Sequence, residues 1–156
     1  MALSSDGIKI LEKIRSGFTT MAELMDYTMW GGDKANTVIE ELDQEGYILR
    51  SGLSGADFWE FHITQKGIDA LPPLSEEDEK LAHYGLCSYD LTVLKAVQSE
   101  TKGQTKTILS KHFDQDEALP ASLSVAKLVR RGYLKNSGFF QQVIELSDSG
   151  KKMLVG

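Results

Sequence analysis

The sequence predicts a mainly helical α+β chain carrying small β-hairpins, organised as two consecutive domains on one plan. Three observations carry that expectation. The 156 residues match themselves at a nearly constant offset. Each half orders three amphipathic helical patterns ahead of two short strand-like runs. A composition of 41% hydrophobic and 26% charged residues is that of a folded globular chain, which excludes disordered, collagen-like and disulfide-scaffold classes.

A repeat of this length sets the architecture of the whole chain. Ile8, Ile10, Leu11 and Ile14 recur as Leu91, Val93, Leu94 and Val97, an offset of 83. The stretch Leu42 to Ile48 returns as Leu128 to Leu134 at offset 86, and Ile63 to Leu71 returns as Leu146 to Leu154 at offset 83 again. Apolar positions, glycines and capping residues keep their order in both copies. An internal duplication is therefore expected, with domain 1 at 1–74, a connector at 75–87 and domain 2 at 88–156.

Each element then has its own reason. A first helix starts after Ser5, or Ser88 in the second copy, with apolar residues at helical spacing, and Gly17 stops it in the first copy. Thr20-Met21-Ala22-Glu23 fits a capping box and opens a second helix to about Tyr27; Thr105 to His112 is its counterpart. The third helix runs from about Asp33 to Glu45 with Ala35, Val38, Ile39 and Leu42 on one stripe. Its counterpart runs from Pro120, at N1, to Arg131, with Ala121, Val125 and Leu128. Gly46 and Gly132 end them.

Tyr47-Ile48-Leu49 and Tyr133-Leu134 then begin hairpins that turn at Ser51 to Gly55 and at Asn136 to Gly138. They return over about Phe58 to Ile63 and Phe140 to Leu146. Alternation puts Trp59, Phe61 and Ile63 on the core face and Phe58 outward. Thr64 and Ser147 cap a last short helix in each copy. Pro72 and Pro73 end the first copy, and Ser75-Glu76-Glu77-Asp78 opens a connector helix toward Tyr84.

The motif Leu-x-x-x-Gly-Tyr-Ile/Leu at the end of each third helix, followed after the hairpin by Ile/Leu-Thr/Ser-x-x-Gly-x-x-x-Leu, resembles the winged-helix domains of MarR- and PadR-type regulators. The resemblance covers nearly the whole chain as two tandem winged helices. It implies that the third helix of each copy is a recognition helix and that the function is DNA binding in transcription regulation, in a prokaryotic cytoplasm. The flanking helices through which MarR-type proteins dimerise are expected to be missing.

Charge separates the halves. Met1 to His83 holds 7 Lys+Arg against 16 Asp+Glu, a net of −9, and Tyr84 to Gly156 holds 10 against 7, a net of +3. DNA affinity comes largely from cations that neutralise phosphates, so the second half is the candidate reader. At equivalent third-helix positions it has Lys127, Arg130 and Arg131 where the first copy has Glu41, Gln44 and Glu45. The expected double-stranded DNA contacts are Ser122, Ser124, Lys127, Arg130 and Arg131 on the helix, Lys106 and Lys111 around the second helix, and Lys135 on the wing.

Phe58, exposed on the acidic domain, is the candidate protein contact. It supports an alternative in which the winged helices form a protein-interaction adaptor and never touch nucleic acid. Catalysis is not expected. His62, His83 and His112 share no motif, His83 and Cys87 make at most two ligands, and no carboxylate pair is placed as acid and base, so neither a metal nor a cofactor is expected. The longest apolar runs fall well short of the about 20 residues that span a bilayer, which argues against a membrane partner and for the cytoplasm.

Overall fold

The computed structural model describes residues 3–52, 59–138 and 142–155. It divides into two compact units, Met1–Leu86 and Cys87–Gly156.

In the first unit, α1 (Ser5–Arg15), α2 (Met21–Thr28) and α3 (Gly32–Gln44) precede an antiparallel hairpin of β1 (Ile48–Gly52) and β2 (Trp59–Ile63), and α4 (Gln65–Asp69) and α5 (Glu76–His83) follow. This is a winged helix, α+β as the sequence predicts. The capping residue of α1 is Ser4 rather than Ser5, because the Ser4 hydroxyl accepts the Gly7 N–H at 3.0 Å. The capping box of α2 is formed, with Thr20 and Glu23 bonded reciprocally. Met29 closes α2 in the left-handed region at φ 63°, a conformation that disfavours residues with a Cβ, and its side chain is 77% exposed.

Ile10 and Leu11 of α1, Leu24 of α2, Ala35, Ile39 and Leu42 of α3, Ile48 of β1 and Phe61 of β2 form a sealed core. Burying each large apolar side chain supplies roughly 1.5–3 kcal/mol. Trp59 and Ile63 share Phe61's face but are only half-buried. Arg50 explains Trp59: its guanidinium lies 4.3 Å over the indole and donates to Asp43 Oδ2 through Nε at 2.9 Å, clasping α3 to the hairpin. Trp30 likewise stays half-buried, under Lys34 at 4.5 Å.

The second unit is α6 (Ser88–Glu100), β3 (Lys102–Gln104), α7 (Thr105–His112), α8 (Ala118–Arg130), β4 (Leu134–Ser137), β5 (Val143–Leu146) and α9 (Asp148–Val155). Its sheet has three strands in the order β3-β5-β4, with Gly103 opposite Ile144 and Leu134 opposite Leu146. The sequence reading had no β3. Lys102-Gly103-Gln104 is too short to alternate, and only the β5 ladder makes it a strand. The first unit has a trace of the same strand, a single bridge between Thr20 and Glu60 supported by the Phe61 N–H donating to the Thr19 carbonyl at 2.7 Å.

Helix α8 starts two residues before the expected Pro120, because a 3-10 turn over Gln115–Glu117 winds directly into it. Pro120 is its third residue, where the missing N–H would be an orphan in any case.

The repeated motif has one structural meaning in both units. Thr64 and Ser147 leave the hairpin and cap α4 and α9 by accepting the N–H of Gly67 and Gly150. Their hydroxyls also donate back to the carbonyls of Gly46 and Gly132, at 2.7 and 2.5 Å. Gly67 and Gly150 then lie against the Tyr47 and Tyr133 carbonyls, so near that a Cβ would come within 2.4 and 2.2 Å of oxygen. The hairpin is thereby fastened to the end of the third helix in each unit.

Candidate interaction site of the second unit

The expected DNA-reading residues of α8 do not form one surface. Ser124 and Lys127 are 1% exposed. Ser124 Oγ donates to Asp90 Oδ1 at 2.6 Å, and Lys127 Nζ donates to Asp90 Oδ2 at 2.6 Å. The same Oδ2 accepts the Cys87 N–H at 2.8 Å, so Asp90 caps α6 while binding α8. A phosphate or base edge could reach Ser124 and Lys127 only after they left the core. Their place in the DNA-contact set is corrected on that ground: an unpaired buried carboxylate would cost several kcal/mol.

The remaining candidates are scattered in character. Ser122 and Arg130 are exposed on α8 and Arg131 is half-buried. Lys111 is exposed but ion-paired with Glu100 at 2.8 Å, and His112 Nε2 lies 2.8 Å from the same carboxylate oxygen. These bonds hold the Glu100 carboxyl below the ordinary glutamate range, the Lys111 bond most strongly, then that of His112. Lys135 is exposed on β4, directly opposite Glu145, which also stands opposite Lys102 across the sheet. A carboxylate thus stands between the wing lysine and the lysine of β3. Phe58 lies outside the described residues.

What the fold does bring together is Lys106 and Ser122. They line one groove of about 730 Å³ between α7 and α8, within the size range of ligand-binding clefts. One end holds Gln104, Thr105, Lys106 and Gln142, a cluster fixed by the Thr105 N–H donating to the Gln142 carbonyl at 2.9 Å. The other holds Phe113, Asp114, Gln115 and Ala118, with the Phe113 ring 5.9 Å from that of Tyr89. Leu109, 8% exposed, lies between.

The exposed stripe of α8 beside this groove runs Leu119, Ser122, Ala126 and Arg130, with one cation at its C-terminal end. Asp114, Asp116 and Glu117 precede the helix. Those carboxylates suit the positive end of the α8 dipole and oppose a phosphate backbone laid across it. Sequence reasoning reached two groove residues, Lys106 and Ser122. It passed over the glutamines, whose signal is only their grouping around α7 once β3 and β5 pair.

Cys87 is half-buried, and its thiol is pushed above the usual cysteine range, first by burial and then by the Asp90 charge. Among the described residues no group of three or more His, Cys, Asp or Glu side chains is arranged to hold a metal ion. No described helix is long and apolar enough to cross a membrane.

No protein-family model matches the chain, and no curated protein matches it. Among solved structures, that of ScpB from Mycobacterium tuberculosis aligns with 99% of this chain and 98% of its own, at 14% sequence identity and a TM-score of 0.35. At that score nothing of ScpB is carried over to this protein.

Proposed function

We propose that the chain is a non-enzymatic tandem winged-helix protein that works by binding a protein partner, with the groove between α7 and α8 as its contact surface. The observation that carries this reading is the chemistry of that surface. Carboxamides, hydroxyls and the apolar Leu109, Phe113 and Ala118 line the groove, with one cation and one carboxylate among them. A mixed, nearly uncharged recess of this kind matches polypeptide better than phosphodiester. The first unit, at −9, carries a net charge that repels nucleic acid.

The second reading, favoured by the +3 of residues Tyr84 to Gly156, is double-stranded DNA contact by the second unit in the manner of a transcription regulator of MarR or PadR type. Its contacts would be Lys106, Ser122, Arg130 and Lys135.

Two measurements on the full chain separate the readings. In selection from a phage-displayed random peptide library, enriched peptides are expected to lose binding to Ser122→Arg, which fills the groove from an exposed position. In fluorescence anisotropy, a mixed-sequence duplex is expected to show no saturable binding at low or moderate salt. Salt-dependent duplex binding that falls in the Lys106→Glu, Arg130→Glu double variant, with no peptide enriched, would replace the first reading with the second.

A further inference from the structure

The groove of the second unit has a direction. Its two ends are set by the two ends of α7, from Thr105 to Phe113, about 12 Å apart at 1.5 Å per helical residue. The Thr105 end carries the Lys106 ammonium together with the positive pole of the helix. The Phe113 end carries the Asp114 carboxylate, where the negative pole of α7 meets the positive pole of α8 and the side-chain charge sets the sign. The groove thus has one side-chain cation at one end and one side-chain carboxylate at the other.

Along its length the surface suits an amide backbone. Gln104, Gln115 and Gln142 are exposed carboxamides, each offering donors and an acceptor, and Ser110 and Ser122 add hydroxyls. A phosphodiester backbone presents acceptors only and uses half of that inventory, whereas a peptide bond uses both halves. Leu109 between the ends, with Phe113 and Ala118 toward the Asp114 end, gives the intervening side chains an apolar surface. At about 3.3 Å per extended residue, the span corresponds to three or four residues.

From this we infer that the groove takes an extended peptide segment with an acidic side chain at the Lys106 end and a basic side chain at the Asp114 end, three or four residues apart. The inference rests on the protein-binding reading above and adds the charge order of the partner segment.

The test is a 15N-detected NMR titration of the full chain with three blocked tetrapeptides: Ac-Glu-Leu-Ala-Arg-NH2, Ac-Glu-Leu-Ala-Glu-NH2 and Ac-Arg-Leu-Ala-Arg-NH2. The mixed-charge peptide is expected to shift the amides of Lys106, Ser110, Gln115 and Ser122 and to bind about threefold more tightly than either like-charged one. Lys106→Glu should turn the preference toward the Arg/Arg peptide, and Asp114→Lys toward the Glu/Glu peptide. Both sites are exposed, so both variants are expected to fold. Equal binding of the three peptides, a preference that neither variant moves, or the absence of groove shifts would overturn the proposal. If library peptides occupy the groove with no charge order, this inference fails and the protein-binding reading stands; if nothing binds the groove, both fail.

Discussion

Lys127 Nζ donates to Asp90 Oδ2 at 2.6 Å with both side chains sealed from solvent, a charge pair that bolts α8 to the first turn of α6. Ser124 and the Cys87 N–H complete the carboxylate's bonds, so the anion is compensated in place. Such a pair adds little net stability over a well-packed apolar replacement, but removing one member strands the other. Lys127→Met is expected to destabilise the second unit by about 3–5 kcal/mol. Both tryptophans belong to the first unit, so urea unfolding followed by circular dichroism, beside tryptophan fluorescence, reads the loss. An unchanged circular-dichroism transition would show that the pair carries no such weight.

Equivalent positions in the first unit behave differently, and the contrast marks how far the sequence could be read. Asp90 corresponds to Gly7 and Lys127 to Glu41. Gly7 is buried, with a Leu42 methyl 3.4 Å from where its Cβ would stand, while Glu41 is exposed. Apolar spacing found the helices because Ile, Leu and Val at every third or fourth place have one low-energy destination. Capping found the boundaries of α2 and α4 because Thr20 and Thr64 satisfy orphan amides locally. Lys127 misled because an isolated charge reads as solvent-facing. The available signal was Asp90 on the Val93, Leu94 and Val97 stripe of α6, facing the stripe of α8 that bears Ser124. Strand β3 and the groove depend on long-range pairing, which no local pattern encodes.

Glu41→Lys should accordingly leave stability within about 0.5 kcal/mol, as for a solvated surface change. Compared with Lys127→Met in the same denaturation assay, it separates two positions that alignment makes equivalent. A loss of the same size in both would contradict the difference in burial.

The glycine that follows each capping Thr64 or Ser147 by three residues sits where no Cβ fits. Gly67→Ala and Gly150→Ala would press a methyl to 2.4 and 2.2 Å from the Tyr47 and Tyr133 carbonyl oxygens, and backbone cannot yield as a flexible side chain does. Each is expected to cost about 1–3 kcal/mol by overpacking, in its own unit. Gly132→Ala is a useful comparison. No atom lies within 4 Å of its Cβ position, so its cost would come from φ at +84° alone. Thermal unfolding of the three variants ranks them, and a Gly150→Ala protein as stable as the parent would refute the close approach.

Cys87 should be a slow thiol. Burial and the Asp90 charge both disfavour its thiolate, with Lys127 opposing them more weakly. Since the thiolate is the nucleophile, reaction with Ellman's reagent near neutral pH is expected to run roughly tenfold slower than with a small free thiol and to accelerate as pH rises. A rate equal to that of the free thiol would mean that the α6 N-terminus opens readily.

Glu100 gives the pH dependence of the α6 to α7 junction a definite sign. Its carboxyl is held below the ordinary glutamate range by Lys111 and, second, by His112. A depressed folded-state value means that the folded chain binds that proton less readily than the unfolded chain. The stabilisation from this cluster is therefore complete above the ordinary glutamate value and is lost as acid carries the pH down through the folded one. Carboxyl 13C NMR should place the Glu100 midpoint below that of glutamate in a blocked model peptide, with Lys111→Ala raising it more than His112→Ala. If Glu100 titrated with the model-peptide glutamate, or if both variants left it unmoved, the two hydrogen bonds would not be formed in solution.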